Sequence, residues 1–114
     1  MPYKIVLTDS FKRSLKRLQK RYPQAKADVK EAVGSLLQNP QAGVIIPRGS
    51  GVRKLRVRNS NLQRGKSGGY RLLYFSSETP EPAIYLLLLY AKSDQADVSL
   101  SELSALLDDL EQIL

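Results

Sequence analysis

Tyr70-Arg71-Leu72-Leu73-Tyr74-Phe75, the turn Glu78-Thr79-Pro80-Glu81-Pro82, and Ile84-Tyr85-Leu86-Leu87-Leu88-Leu89-Tyr90 together decide how this chain is read. Two aromatic and aliphatic runs separated by a Pro-containing turn predict neighbouring strands. The second run carries no charge, the pattern of a central strand covered on both faces. The first carries a single cation, Arg71. An apolar strand is a poor place for an unpaired charge, so Arg71 either snorkels or points its guanidinium fork at an anion.

Upstream, Tyr3-Lys4-Ile5-Val6-Leu7 predicts a short strand, and Thr8, Asp9 and Ser10 are each good N-caps for a helix after it. Phe11, Leu15, Leu18 and Tyr22 recur at helical spacing until Pro23, with Lys12, Arg13, Lys16, Arg17, Lys20 and Arg21 on the other faces. A second helix is expected from Gln24 to Gln38, with Val29, Val33, Leu36 and Leu37 as its stripe and Asn39-Pro40 as its stop. The short connection at Pro23 makes the pair an antiparallel hairpin. A loop from Pro40 to Gly51 has room for a short extended piece at Val44-Ile45-Ile46.

Val52 to Arg58 alternates, with Leu55 and Val57 on one face and Lys54, Arg56 and Arg58 on the other. A polar connection over 59–69 ends in Gly68-Gly69. A last helix opens at the capping box Ser99-Leu100-Ser101-Glu102 and carries Leu103, Leu106, Leu107, Leu110 and Leu114 on one stripe. The expected order is β-α-α-β-β-β-α. That is an α+β fold: a small antiparallel sheet, an N-terminal helical hairpin and a C-terminal helix, with the helices against one face. At 114 residues, a single domain over 1–114 is expected, burying roughly two-thirds of its unfolded surface.

The charge is unevenly placed. Residues 1–92 hold all 18 Lys/Arg against five acids, whereas 93–114 hold six acids and no base. The end of the chain thus reads as an acidic segment appended to a strongly basic body. Within that body Arg48, Arg53, Lys54, Arg56, Arg58, Arg64, Lys66 and Arg71 occur with no Asp or Glu between them. Such a block repels itself unless an anion shares it, and nucleic acid is the anion its density suits. Successive side chains on one strand face lie about 7 Å apart, so Lys54, Arg56 and Arg58 form a comb for neighbouring phosphates.

Other chemistry is excluded by composition. The chain has no Cys and no His. Zinc sites of the usual His/Cys kind, Ser-His-Asp triads and His-based ribonuclease mechanisms are therefore absent, and no metal or cofactor is expected. Gly65-Lys66-Ser67 is not a Walker A loop, because Ser60 stands where that motif needs Gly and a strand follows instead of a helix. Nothing at the N-terminus looks like a signal peptide, and the longest apolar run, 83–91, is half a membrane span. The expectation is a cytoplasmic protein that does not engage a membrane.

Leu55-Arg56-Val57-Arg58, Gly65-Lys66-Ser67-Gly68-Gly69-Tyr70-Arg71-Leu72-Leu73-Tyr74-Phe75 and Ile84-Tyr85-Leu86-Leu87-Leu88-Leu89-Tyr90-Ala91-Lys92 resemble the RelE/ParE toxin superfamily, and most closely its HigB-like, RelE-type members. The resemblance spans nearly the whole chain in element order and is most specific over 51–98. It implies the toxin of a type II toxin–antitoxin system, an endoribonuclease that cleaves mRNA in the ribosomal A site. It also implies a cognate antitoxin that neutralises the toxin and can join it in a hetero-oligomer. The family's phosphate-binding arginine falls at Arg71.

Without metal or His, RNA is cut when its own 2′-hydroxyl attacks the adjacent phosphate, and cations aimed at the phosphorane supply the stabilisation. Lys54, Arg56 and Arg71 are accordingly assigned to the phosphate and proton steps, with Lys92 supporting them. Arg53, Arg58, Arg64, Lys66 and Tyr90 are assigned to nucleic-acid binding, Tyr90 through base stacking. Two positions depart from the family pattern. Ser93 stands where well-studied members carry Arg, and about Ser99 where they carry a proton-transferring Tyr. Two other readings belong to the same resemblance: a ParE-like poison of DNA gyrase with no nuclease site, and a degenerate RNA-binding module.

Overall fold

The structure, a computed structural model, describes residues 2–62 and 68–114. Its elements run β1 (Lys4–Leu7), α1 (Asp9–Arg21), α2 (Ala25–Gln38), β2 (Val44–Ile45), β3 (Arg53–Val57), β4 (Tyr70–Ser77), β5 (Ala83–Ala91) and α3 (Leu100–Glu111). The five strands form one sheet in the order β1-β5-β4-β3-β2. Every residue of β5 is buried, as its uninterrupted apolar sequence requires of a strand paired on both edges and covered on both faces.

Strand alternation divides the core in two. Tyr70, Leu72, Tyr74, Ile84, Leu86 and Leu89 face α1 and α2, packing on Phe11, Leu18, Val29 and Leu36. Leu73, Tyr85, Leu87, Leu88 and Tyr90 face the other way, against Leu103, Leu106 and Leu110 of α3. The expected α+β class and element order are observed, with the brief extended piece present as β2. Two details differ from expectation. β1 runs parallel to β5, with Lys4 beside Ala83 and Leu7 beside Leu86, so the sheet is mixed. The helices also do not share a face: α3 covers the side that α1 and α2 leave open. The physical reason lies in β5, whose two faces are equally apolar, so a single helical layer would leave one of them wet.

Polar side chains fix the helices to the sheet. Thr8 caps α1, its Oγ1 accepting the Phe11 N–H at 3.2 Å while donating to the Leu86 carbonyl at 2.8 Å. β1 ends opposite Leu86, and beyond it the Leu89 N–H is satisfied by buried Ser14 Oγ at 3.0 Å. Ser99 caps α3 by accepting the Glu102 N–H at 3.1 Å, as its capping-box sequence predicts. The chain after β3 is tied to α2, with the Ser60 N–H on Asp28 Oδ2 at 2.9 Å and the Gln24 N–H on Asn61 Oδ1 at 3.0 Å. Among the described residues no helix is long and apolar enough to cross a membrane.

Gly69 determines how β4 enters the sheet. Its φ is +72°, and an added Cβ would stand 2.7 Å from the Val57 carbonyl oxygen. Its own carbonyl accepts the Lys92 N–H at 3.0 Å, so it joins the ends of β3, β4 and β5. Gly69→Ala combines left-handed strain with a backbone clash, and is expected to destabilise by more than about 1 kcal/mol. A thermal melt beside wild type checks this; an unchanged midpoint would contradict the packing described.

Candidate functional site

The register of the central strands assembles the cations. Arg56 lies directly across from Arg71, and Arg71 across from Tyr90; one row along, Lys54 faces Leu73. Residues directly opposite share a face, so Lys54, Arg56, Arg71 and Tyr90 all project on the α3 side of the sheet. Opposed like charges destabilise a strand pair. Here one of them is also buried: Arg71 retains 8% of its exposure.

No carboxylate lies within ion-pairing distance of Arg71 or Arg56 among the described residues; the ion pairs found there are Lys4–Glu81, Arg21–Asp94 and Lys54–Asp97. Arg71 Nη1 donates to the Tyr70 carbonyl at 3.1 Å, which leaves most of its five N–H donors without a partner among the described residues. Arg56, Arg58 and Arg71 converge on a cleft of about 170 Å³ whose walls include Asn59, Leu62, Gly68 and Gly69. Glycine at 68 and 69 keeps that wall free of side chains, allowing close approach of a ligand's backbone. A larger depression of about 340 Å³ at the start of α1 sets Asp9 and Asp109 against a single cation, Arg13, and does not suit an anion.

The remaining sequence candidates are placed unevenly. Lys92 is exposed at the end of β5, its backbone bonded to Gly69. Tyr90 is buried, with its hydroxyl unpartnered among the described residues. Burial raises the Tyr90 pKa, Asp97 and Glu102 add to that rise, and Arg71 opposes it. Arg53 is not with the others. It pairs with Tyr74 on the helical-hairpin face, and its Nη1 donates to the Gly43 and Gln41 carbonyls at 2.8 and 3.3 Å. Arg64 and Lys66 lie outside the described residues.

Sequence reasoning missed Asp97. The loop after β5 brings its Oδ1 to 3.5 Å from Lys54 Nζ, and the same oxygen accepts the Val98 N–H at 2.9 Å. The available signal was charge complementarity between the acidic 93–114 segment and the comb. Among the described residues no group of His, Cys, Asp and Glu is arranged to hold a metal. The arrangement is suited to hold a phosphodiester and stabilise additional negative charge on it.

A second cationic surface lies on the opposite side of the sheet. Arg13, Lys16, Arg17 and Lys20 of α1 line a shallow depression of about 220 Å³. α1 packs on the face away from Arg71, which sets the two surfaces on opposite faces of the sheet.

Comparison with known proteins bears on the family and the fold. Residues 4–111 match the family model described as RelE toxin of the RelE/RelB toxin–antitoxin system. Among solved structures, a mutant of E. coli toxin RelE in the free state superposes with a TM-score of 0.60, at 19% identity and with 100% of each chain covered. At that identity the superposition speaks for the fold.

Proposed function

Since the chain belongs to the RelE toxin family, we propose that it is a ribosome-dependent mRNA endoribonuclease that arrests translation and is neutralised by a cognate antitoxin. The observation that carries the reading is Arg71, buried and directly opposite Arg56, with no carboxylate in ion-pairing distance of either among the described residues. A charge held this way is costly unless a ligand completes it. Phosphate, bound by guanidinium forks, is the ligand whose shape and charge fit.

In this reading the scissile phosphate sits over Arg56 and Arg71, with Lys54 beside it. The RNA 2′-hydroxyl attacks phosphorus, O2′–P forms and P–O5′ breaks, leaving a 2′,3′-cyclic phosphate and a 5′-hydroxyl. Arg56 and Arg71 neutralise the phosphorane, whose charge exceeds that of the ground state, so their contribution grows towards the transition state. Arg58 and Lys92 guide the flanking backbone. The ribosome supplies order that so sparse a site lacks, since codon pairing fixes the sugar–phosphate geometry before chemistry. The basic face of α1 on the far side supports a large RNA surrounding the protein.

Primer extension on mRNA from translating cells after induction tests this. Cuts in codon register are expected; gyrase-linked DNA breaks with intact mRNA would establish the ParE-like alternative. The antitoxin should present an acidic segment to residues 48–71, because a like-charged ligand cannot cover them. Association of the two proteins is then expected to slow as salt rises from 50 to about 300 mM, as steered encounters do. A salt-independent rate, or a basic contacting segment, would contradict it.

A further inference from the structure

Resting on that reading, we infer that Asp97 is the general base that takes the 2′-hydroxyl proton. The nuclease site as read from its cations has a gap: lysine and arginine in their charged forms have donors and no acceptor. The chain has no histidine to fill it. Asp28 and Glu31 of α2 share a depression with Arg56 and Arg58, but among the described residues the carboxylate ion-paired with the comb is Asp97, its Oδ1 at 3.5 Å from Lys54 Nζ.

Several features suit Asp97 to this task. It remains exposed, its side chain at 63% of full accessibility, so a ribose can reach it. It is nonetheless held in place. Its Oδ1 accepts the Val98 N–H at 2.9 Å, its carbonyl accepts Gln95 Nε2 at 3.0 Å, and Ser99, two residues on, caps α3. Among the described residues, the charged and titratable groups facing this region are Lys54 and Arg56 from β3, Arg71 from β4, Tyr90 from β5 and Glu102 from α3. Glu102 Oε1 accepts Gln95 Nε2 at 3.3 Å, and Asp97 is the carboxylate ion-paired with Lys54 among the described residues. A substrate in near-attack geometry holds its 2′ oxygen about 3–3.5 Å from phosphorus, so a base beside Lys54 is within one ribose of a phosphate bound there.

The proton account then closes on this chain's own groups. Asp97 receives the 2′ proton as O2′–P forms. Lys54 Nζ gives a proton to the 5′ oxygen as P–O5′ breaks. The proton on Asp97 returns to Lys54 across their contact, restoring both groups with no redox change.

Single-turnover cleavage on saturated, mRNA-programmed ribosomes tests this, with wild type, Asp97→Asn and Asp97→Glu compared across pH. Each is also given an mRNA whose scissile 5′ oxygen is replaced by sulfur, a leaving group that needs no proton. Asn preserves the acceptor for the Val98 N–H, and circular dichroism with ribosome binding confirms that each variant is folded and docked. Asp97→Asn is expected to cut about 100-fold more slowly, within the range of general-base catalysis. It should also lose the acid-side rise of rate with pH and remain slow on the sulfur substrate. Asp97→Glu should recover part of the rate. An Asp97→Asn rate equal to or above wild type would overturn the assignment, leaving Asp97 an ion-pair partner of Lys54 or a shield over the comb. Rescue by sulfur would also overturn it, since Asp97 would then act only through the proton donor. Wild type that leaves ribosome-bound mRNA uncut would instead overturn the nuclease reading itself.

Discussion

Arg71→Ala is expected to abolish growth inhibition while leaving a folded protein that still binds its antitoxin. Arg71 occupies one position of β4 with Arg56 on one side and Tyr90 on the other, all on the α3 face. It is buried, and no acid pairs with it among the described residues. Its replacement has opposing effects on stability. The aliphatic stem loses packing, but a desolvated charge is removed from beside a second arginine. These contributions partly cancel, and a shift of the melting midpoint within about 5 °C is expected, of the order that 1 kcal/mol produces in a domain this size.

Catalysis has no such compensation, because the guanidinium fork acts on the charge that appears only in the transition state. Arg71→Lys should restore little, since an ammonium is a point charge and cannot bridge two phosphate oxygens. Induction in cells, with circular dichroism and antitoxin pull-down on the purified variants, reads all of this. A folded Arg71→Ala protein of full toxicity would remove the site from this cleft.

The two cationic surfaces should separate cleanly in kinetics. Substituting Lys54 or Arg56 by Ala is expected to lower single-turnover cleavage on saturated ribosomes about 100-fold, the scale of losing one preorganised charge at the reacting centre. Substituting Arg13, Arg17 or Lys20 should leave that saturated rate intact, because α1 lies on the other face of the sheet. Those changes should instead weaken ribosome binding and flatten its dependence on salt, each losing a screened, sequence-independent attraction. Rapid-quench measurements at two salt concentrations distinguish the cases. Lys54→Ala and Arg56→Ala proteins that cut at the wild-type rate once bound would make the comb a docking surface.

Much of this arrangement is legible in the sequence because period-two alternation is a local property. Lys54, Arg56 and Arg58 alternate with Leu55 and Val57, and that parity alone places the comb on one face and Arg53 on the other. Arg53 joins the comb only if charge is counted without regard to parity. In the fold it instead holds the chain before β2 through the Gly43 carbonyl. The helix caps are equally local: Ser99 caps α3, and of the three candidates before α1 it is Thr8 that caps the helix.

What the sequence does not disclose is long-range. The Arg56–Arg71 pairing depends on β3–β4 register, and the intervening connection is too long and polar to set it. The face taken by α3 depends on β5, which is apolar on both sides and offers no preference. Yet an uncharged β5 already required cover on both faces, which a single helical layer cannot provide. Asp97 follows from that placement: only once α3 lies over the comb's face does the loop before it carry a carboxylate to Lys54.

The most direct test is end-group mapping of a defined mRNA bound to purified ribosomes, with the purified protein added and no other nuclease present. The cation cleft as an RNA-cleaving site predicts one dominant cut in the A-site codon. Its upstream fragment should end in a 2′,3′-cyclic phosphate and its downstream fragment in a 5′-hydroxyl, with Arg71→Ala producing neither. An mRNA that stays intact under wild-type protein at concentrations saturating the ribosome would contradict the account.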